Sequence, residues 1–291
     1  MTDAEVEGLP FRKGYIEDLA QLCGLPLEEG QKLAHDFEQE ILEASPQEFG
    51  WIIGGRTVAP AVVDPYLRMK PIAHKILDHA KAFMNLEERS RLLDVILYKY
   101  NYQKTTTSFK AGARSSLEKL KGTNTFVVTN SHTAPVQGKL RSLGSQPDGS
   151  CTLDWLIERV QGDAKKYVVC DSFEDIEEKL ELPGLERPVL LRRQKYYTIL
   201  QYLLRLTGCS WPDMVVIGDV FELDLALPLA MGARVGLMAN QYTPAYEKEF
   251  LESLSDRAAI LTSVEQIPEF AFGCSSPASM HSSGAACCPC A

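Results

Sequence analysis

The sequence has no apolar run near the roughly 18 residues that a membrane-spanning helix needs, which excludes a helical span. It is also short of positive charge: 30 lysines and arginines stand against 39 aspartates and glutamates, a net charge of −9. A general nucleic-acid binder, whose affinity rests on basic contacts to phosphate, is disfavoured by that balance. The opening "MTDAEVEGLPF" is acidic and lacks the apolar centre of a signal peptide. No GxGxxG follows any predicted strand, which argues against a dinucleotide-binding Rossmann protein. What is present is enough hydrophobic content, 45% of 291 residues, for one or two domains with full cores.

Of the eight cysteines, Cys23, Cys151, Cys170 and Cys209 are scattered through predicted structure, as expected of reduced thiols in a cytoplasmic protein. Cys274, Cys287, Cys288 and Cys290 sit in the tail "GCSSPASMHSSGAACCPCA", where serine, alanine and glycine dominate. Residues 271–291 are expected to be disordered. Metal binding with His281, or lipidation at Cys287 and Cys288, are the alternatives.

Residues from about 13 to 105 read almost entirely as helix, with apolar side chains at three- and four-residue intervals in "YIEDLAQLCGL" and "EEGQKLAHDFEQEILEA". Asn85 is placed to cap "LEERSRLLDVILYKY", and glycines and prolines interrupt the pattern in "GWIIGGRTVAPAVVDPYLRMKP". The texture changes near residue 109. "ARSSLEKLKG" predicts a short helix. "TFVVTNS", "YVVCDS", "DMVVIGD" and "ARVGLM" predict strands, separated by helices at "RQKYYTILQYLLRLTG" and "ELDLALPLAMG". Alternating strands and helices imply an α/β fold with a parallel sheet, and ligands bind beyond the C-terminal strand ends of such sheets. Thr129, Asp171 and Asp219 are expected at such ends. The division is a helical cap-like region over 1–108, a Rossmann-like core over 109–270, and the tail.

Three pieces then recur in order: Thr129-Asn130-Ser131, Lys195 at a helix start, and Gly218-Asp219 with Asp224. Taken singly, Thr129 or Asp219 reads as a helix cap, Lys195 as a solvated charge, and Asp224 as an exposed helix residue. Taken together, two carboxylates suit Mg²⁺, while a hydroxyl and a lysine suit a phosphoryl group. That combination is what metal-assisted phosphoryl transfer needs.

The order and spacing resemble the haloacid-dehalogenase superfamily of phosphohydrolases over residues 109 to 240. "FVVTNS" is similar to its second motif, Lys195 to its third-motif lysine, and "VVIGDVFELDLALPLAMGARVGL" to its fourth motif. "TNS" and "GDVFELD" lean toward the 5′-nucleotidase-like branch. The resemblance implies a Rossmann-like core with a helical cap, Mg²⁺ held by Asp219 and Asp224, and a small phosphorylated substrate. Thr129 and Asn130 would bind phosphoryl oxygens, and Lys195 would neutralise the phosphate. Hydrolysis of a phosphomonoester is the expected activity, and a catalytically inactive binding protein of the same fold is the alternative.

The family's first motif, DxDxT at the end of the first strand and the source of its nucleophile, is not found, so hydrolysis is expected to be impaired in the chain as given. "VVDPYLRM" offers Asp64, and "VVCDSFED" offers Asp171 and Asp175, without the pattern. In the family this strand lies between the second- and fourth-motif strands, so its loss would leave two buried strand edges. Each unsatisfied backbone group there costs roughly 1–3 kcal/mol. The expectations are that those two strands pair directly, that another segment fills the slot, or that the physiological chain starts upstream. Thr129, Lys195 and Asp219 are expected to share one crevice, with the region 13–105 standing over it.

Overall fold

Asp3 accepts a hydrogen bond from the Val6 amide and starts the first helix, in a computed structural model that describes residues 1–44 and 47–273. Helices α1 (Ala4–Leu22), α2 (Leu27–Glu43) and α3 (Pro65–His79) pack around Phe11, Tyr15, Leu19, Met69, Ile72 and Ile76. The helical reading of 13–105 needs one correction. Gly50–Ile53 (β1) and Arg56–Pro60 (β2) form an antiparallel hairpin. Its two-residue turn, Gly54-Gly55, has φ values of 57° and 76°, which glycine alone adopts freely and which match the twist of the flanking strands. Asn85 does cap α4 (Leu86–Ser90), accepting from the amides of Glu87 and Glu88. A wide π-type stretch, Arg91–Leu97, then leads into α5 (Tyr98–Tyr102).

The second part is mixed helix and strand. In order it comprises α6 (Ala113–Glu118), β3 (Val127–Val128), α7 (Thr133–Gly144), α8 (Asp154–Ile157), β4 (Val160–Gln161), β5 (Lys179–Leu180), β6 (Val189–Leu190), α9 (Gln194–Thr207), β7 (Val215–Gly218), α10 (Ala226–Ala230), β8 (Arg234–Met238), α11 (Ala245–Glu252), β9 (Ala258–Leu261) and α12 (Ile267–Phe272). Gly208 closes α9 at φ 69°, as its position after the apolar run predicts. "YVVCDS" is not a strand. Val168 stays exposed, and Asp171 turns outward onto Arg56.

The parallel pairing exists, in two pieces. β3 pairs with β4, and β7 pairs with β8, which pairs with β9. β3 and β7 do not pair with each other. Both residues of β3 and all four of β7 are only half-buried, whereas the inner strands of a covered parallel sheet are sealed on both faces. Met1 packs against both the buried cluster that contains Val160 of the first piece and the buried cluster that contains Met238 of the second. Among the described residues no helix is long and apolar enough to cross a membrane. The cysteine-rich tail from Cys274 onward, and the readings made of it, lie outside the described residues.

Candidate functional site

Local backbone chemistry sets the acids after β7. Pro228 has no N–H to donate to the carbonyl of residue 224, four positions back. The turn Phe221–Leu225 widens to a π-type geometry, and the buried hydroxyl of Tyr196 donates to the freed Asp224 carbonyl at 2.8 Å. The Asp224 side chain then folds back over β7. A Cβ on Gly218 would lie 2.6 Å from Asp224 Oδ2, so only glycine permits that approach. Asp224 Oδ2 accepts from the Val220 amide at 3.2 Å. Asp224 is buried, which rules out its reading as an exposed helix residue.

The partner of Asp224 is Lys166, which the sequence motifs did not single out. Its Nζ donates to Asp224 Oδ1 at 2.8 Å and to the Val128 carbonyl of β3 at 2.9 Å. It also lies 5.1 Å from the Tyr196 ring centroid. The Lys166 amide donates to Asn130 Oδ1 at 2.7 Å. One lysine thus ties the end of β3 to the turn after β7, across the interval where the two sheet pieces fail to pair. Lys166 is placed by Arg193, fully buried, whose guanidinium donates to the carbonyls of Lys166, Leu190 and Val58. Burial lowers the Arg193 pKa to about 10, so the guanidinium stays charged at neutral pH.

Thr129 Oγ1 accepts from the Ser131 amide at 3.2 Å, and its hydroxyl proton is left to donate. With one Asn130 oxygen used by Lys166, the amide NH₂ of Asn130 is likewise left to donate. Asp219 is exposed and accepts no side-chain hydrogen bond among the described residues. Solvent reaches it, yet protein surrounds it closely enough that desolvation is the main cause raising its pKa. The Asp224 charge adds to that rise, while the Met1 amino group and Lys166 oppose it.

A further carboxylate comes from the helical part. Asp64 caps α3, accepting from the amides of Tyr66 at 2.8 Å and Leu67 at 3.1 Å. Its pKa is raised to about 6, first by burial and also by the Asp219 charge, which places the two acids within electrostatic reach. Asp171 does not join them. It forms a two-pronged pair with Arg56 that holds its pKa low. Lys195 is exposed in the first turn of α9 and has no hydrogen bond or ion pair among the described residues. Its neighbour Tyr196 is the α9 residue that reaches Asp224. The signal for Lys166 was weak in sequence, a lysine inside the loop "GDAKKYVV" with no pattern around it.

Two cavities lie elsewhere. One of about 560 Å³ runs between α2, the hairpin and the loop before α11, lined by Gln39, Phe49, Tyr242 and Thr243 among others, none of them charged. A smaller one of about 260 Å³ contains Arg56 and Asp171, already paired with each other. Among the described residues no group of three or more His, Cys, Asp or Glu side chains is arranged to enclose a metal ion. No known family model matches the chain, and no curated protein matches it.

Proposed function

We propose that this protein binds a phosphomonoester between β3 and β7, on the plan of a Mg²⁺-dependent haloacid-dehalogenase-type phosphohydrolase. In this reading the two parallel pieces are the halves of a Rossmann-like core, and the helices before residue 105 are its cap. The observation that carries it is the Lys166 bridge from Val128 to Asp224, beside a free Asp219. An ammonium between two strand ends, with a free hydroxyl on Thr129 and a free amide on Asn130, supplies one charge and two donors for phosphoryl oxygens. The third-motif lysine role, assigned to Lys195 by spacing, falls to Lys166.

Mg²⁺ commonly takes one or two carboxylates and completes its shell with water and substrate phosphate. Asp219 fits as the protein anchor, while Asp224, with each oxygen already bonded, fits as the group that orients the turn. A bound Mg²⁺ would supply neutralisation of the phosphoryl charge. Asp64 caps α3 with one oxygen, and its other oxygen has no hydrogen-bond partner among the described residues, so it is the carboxylate left for a nucleophilic role.

The second reading, a binding protein that holds the phosphomonoester without cleaving it, is favoured by one feature. Among the described residues no group of three or more His, Cys, Asp or Glu side chains is arranged to hold a metal ion. Calorimetric titration with inorganic phosphate, with and without Mg²⁺, tests the site, and release of phosphate from a phosphomonoester separates the readings. Phosphate binding should fall at least tenfold in Lys166→Met, and its Mg²⁺ dependence should vanish in Asp219→Asn. Binding that survives both substitutions overturns the proposal. Turnover is expected to be weak, and clear turnover abolished by Asp64→Asn would make Asp64 the nucleophile.

A further inference from the structure

Phe11, Tyr66, Tyr98 and Tyr102 form a continuous set of rings. Phe11 lies 4.9 Å from Tyr66 and 5.5 Å from Tyr98, Tyr66 lies 5.4 Å from Tyr102, and Tyr98 stacks on Tyr102 at 5.7 Å with planes 15° apart. Phe11 is the sealed base, whereas Tyr98 and Tyr102 remain 36% and 45% exposed. A buried tyrosine ordinarily gives its hydroxyl a partner within the protein, as Tyr15, 2% exposed, does with the Leu93 carbonyl at 2.9 Å. The hydroxyls of Tyr66, Tyr98 and Tyr102 have none among the described residues. Three polar tips and two open ring faces are therefore left for something outside the chain.

Their position says what that is. The Tyr66 amide is bonded to Asp64, and Val63 and Val220, the chain neighbours of Asp64 and Asp219, share one buried apolar cluster. Burial, and after it charges that include Asp64, raise the pKa of all three tyrosines. Glu7 closes the same neighbourhood, holding the Ser108 amide at 3.1 Å and Lys139 of α7 at 2.8 Å. The rings thus border the region of Asp64 and Asp219, the two carboxylates there without a cation partner, which disfavour a second anionic group.

We propose that this tyrosine wall selects the organic part of the bound phosphomonoester, which carries a flat aromatic or heteroaromatic ring and no further negative charge. The inference rests on the phosphate site proposed above. Ring faces stack offset or edge-on with a planar group, a preference an aliphatic chain cannot satisfy.

Calorimetric titration of the full chain with phenyl phosphate, glycerol phosphate and inorganic phosphate tests it. Phenyl phosphate should bind about tenfold more tightly than glycerol phosphate, the gain expected of one or two aromatic contacts. Tyr98→Ala/Tyr102→Ala should erase that preference while inorganic phosphate binds unchanged, and Tyr98→Phe/Tyr102→Phe should keep most of it. Retained phosphate binding in the alanine pair also reports that the variant is folded. Equal affinity for the two esters, or a preference untouched by the alanine pair, overturns the ring site alone. A ring preference that persists while Lys166→Met leaves all three affinities unchanged overturns the phosphate reading and keeps the ring site. Failure of all three ligands to bind overturns both.

Discussion

Two acids of one turn, Glu222 and Asp224, are both buried, yet each is held by a different cation in a different setting. Glu222 points into the interior, where Arg187 grips both its oxygens at 2.7 and 2.8 Å and the Tyr246 hydroxyl approaches at 3.3 Å. Glu247 lies in the same cluster, fully buried, with Oε2 lacking a partner among the described residues. Asp224 pairs with Lys166 next to the exposed Asp219. The same chemistry, carboxylate against cation, is thus built twice away from bulk water: the Arg187 and Glu222 side chains are 18% and 0% exposed, those of Lys166 and Asp224 10% and 12%. A buried pair is a structural commitment, because a charge left behind has no ready substitute partner. What sets the second pair apart is the exposed carboxylate beside it, where solvent or a ligand can reach, and that difference separates scaffold from site.

The contrast is sharpened first by Glu222→Ala, which strands Arg187 and should cost about 3–5 kcal/mol in urea unfolding, the range for breaking a buried pair from one side. Replacing both partners, as Arg187→Met/Glu222→Leu, should recover most of the loss. If the single variant costs no more than an exposed pair, the interior is wetter than the burial indicates.

Lys166→Ala removes the chemically equivalent cation from the crevice. The cost should be smaller, about 2–3 kcal/mol, because Asp224 keeps the Val220 amide and gains access to solvent, while the Val128 carbonyl loses its donor. A loss as large as that of Glu222→Ala would mean that Lys166 mainly holds the two sheet pieces together and has no charge to spare for a ligand.

Asp64→Asn should raise stability in a pH-dependent way. The folded-state pKa of Asp64 is about 6 against an ordinary 3.8, so the native state binds the extra proton and wild-type stability falls as pH rises from about 4 to about 6. Asparagine has no charge to desolvate and keeps the capping oxygen. Thermal unfolding should show the variant ahead by about 1–2 kcal/mol at pH 8 and level with wild type at pH 4, a two-unit shift being discounted for solvent reaching the crevice. Equal stability at both pH values would mean that burial does not raise the Asp64 pKa in the folded protein.

Glu247→Gln should matter less still. Burial first, then the Glu222 charge, push the Glu247 pKa well up, and glutamine has no charge to desolvate there. A change within about 0.5 kcal/mol is expected at pH 7, where Glu222→Ala is severe. A large loss would show that Glu247, too, is ionised against Arg187.

What was legible in the sequence followed from local rules. Gly208, Asn85 and the run "DMVVIGD" obey capping and patterning rules that act over a few residues, and the structure places them as expected. The ends of β3 and β7, with Thr129, Asn130, Asp219 and Asp224, were reached the same way. The hairpin was missed because "GWIIGGRTVAP" reads as a break in helix, although its paired glycines carry the turn signal. "YVVCDS" was overread: an apolar, β-branched run is also what an edge segment looks like when its neighbours do not pair with it. Lys166 was invisible because its role depends on a carbonyl 38 residues away and a carboxylate 58 away. No local pattern encodes such a meeting, and Lys195 occupied the spacing that a motif would favour.

The smallest effect is therefore expected at Lys195. Its side chain is exposed, sits in the first turn of α9 and is bonded to nothing among the described residues. A cation there meets the positive end of the helix dipole, and alanine is the better helix former, so Lys195→Ala should leave stability unchanged or raise it by about 0.5 kcal/mol. Phosphate affinity should stay within about twofold of wild type, the scale of a screened surface charge, in the same titration where Lys166→Met loses tenfold or more. Running both variants at low and moderate salt separates contact from field. A remote charge loses its small influence as salt rises, whereas a lysine that touches the phosphate keeps its effect. A tenfold, salt-resistant loss in Lys195→Ala would mean that α9 swings its first turn over the ligand. The comparison would then have to be redrawn, with two lysines on the Asp224 side of the turn.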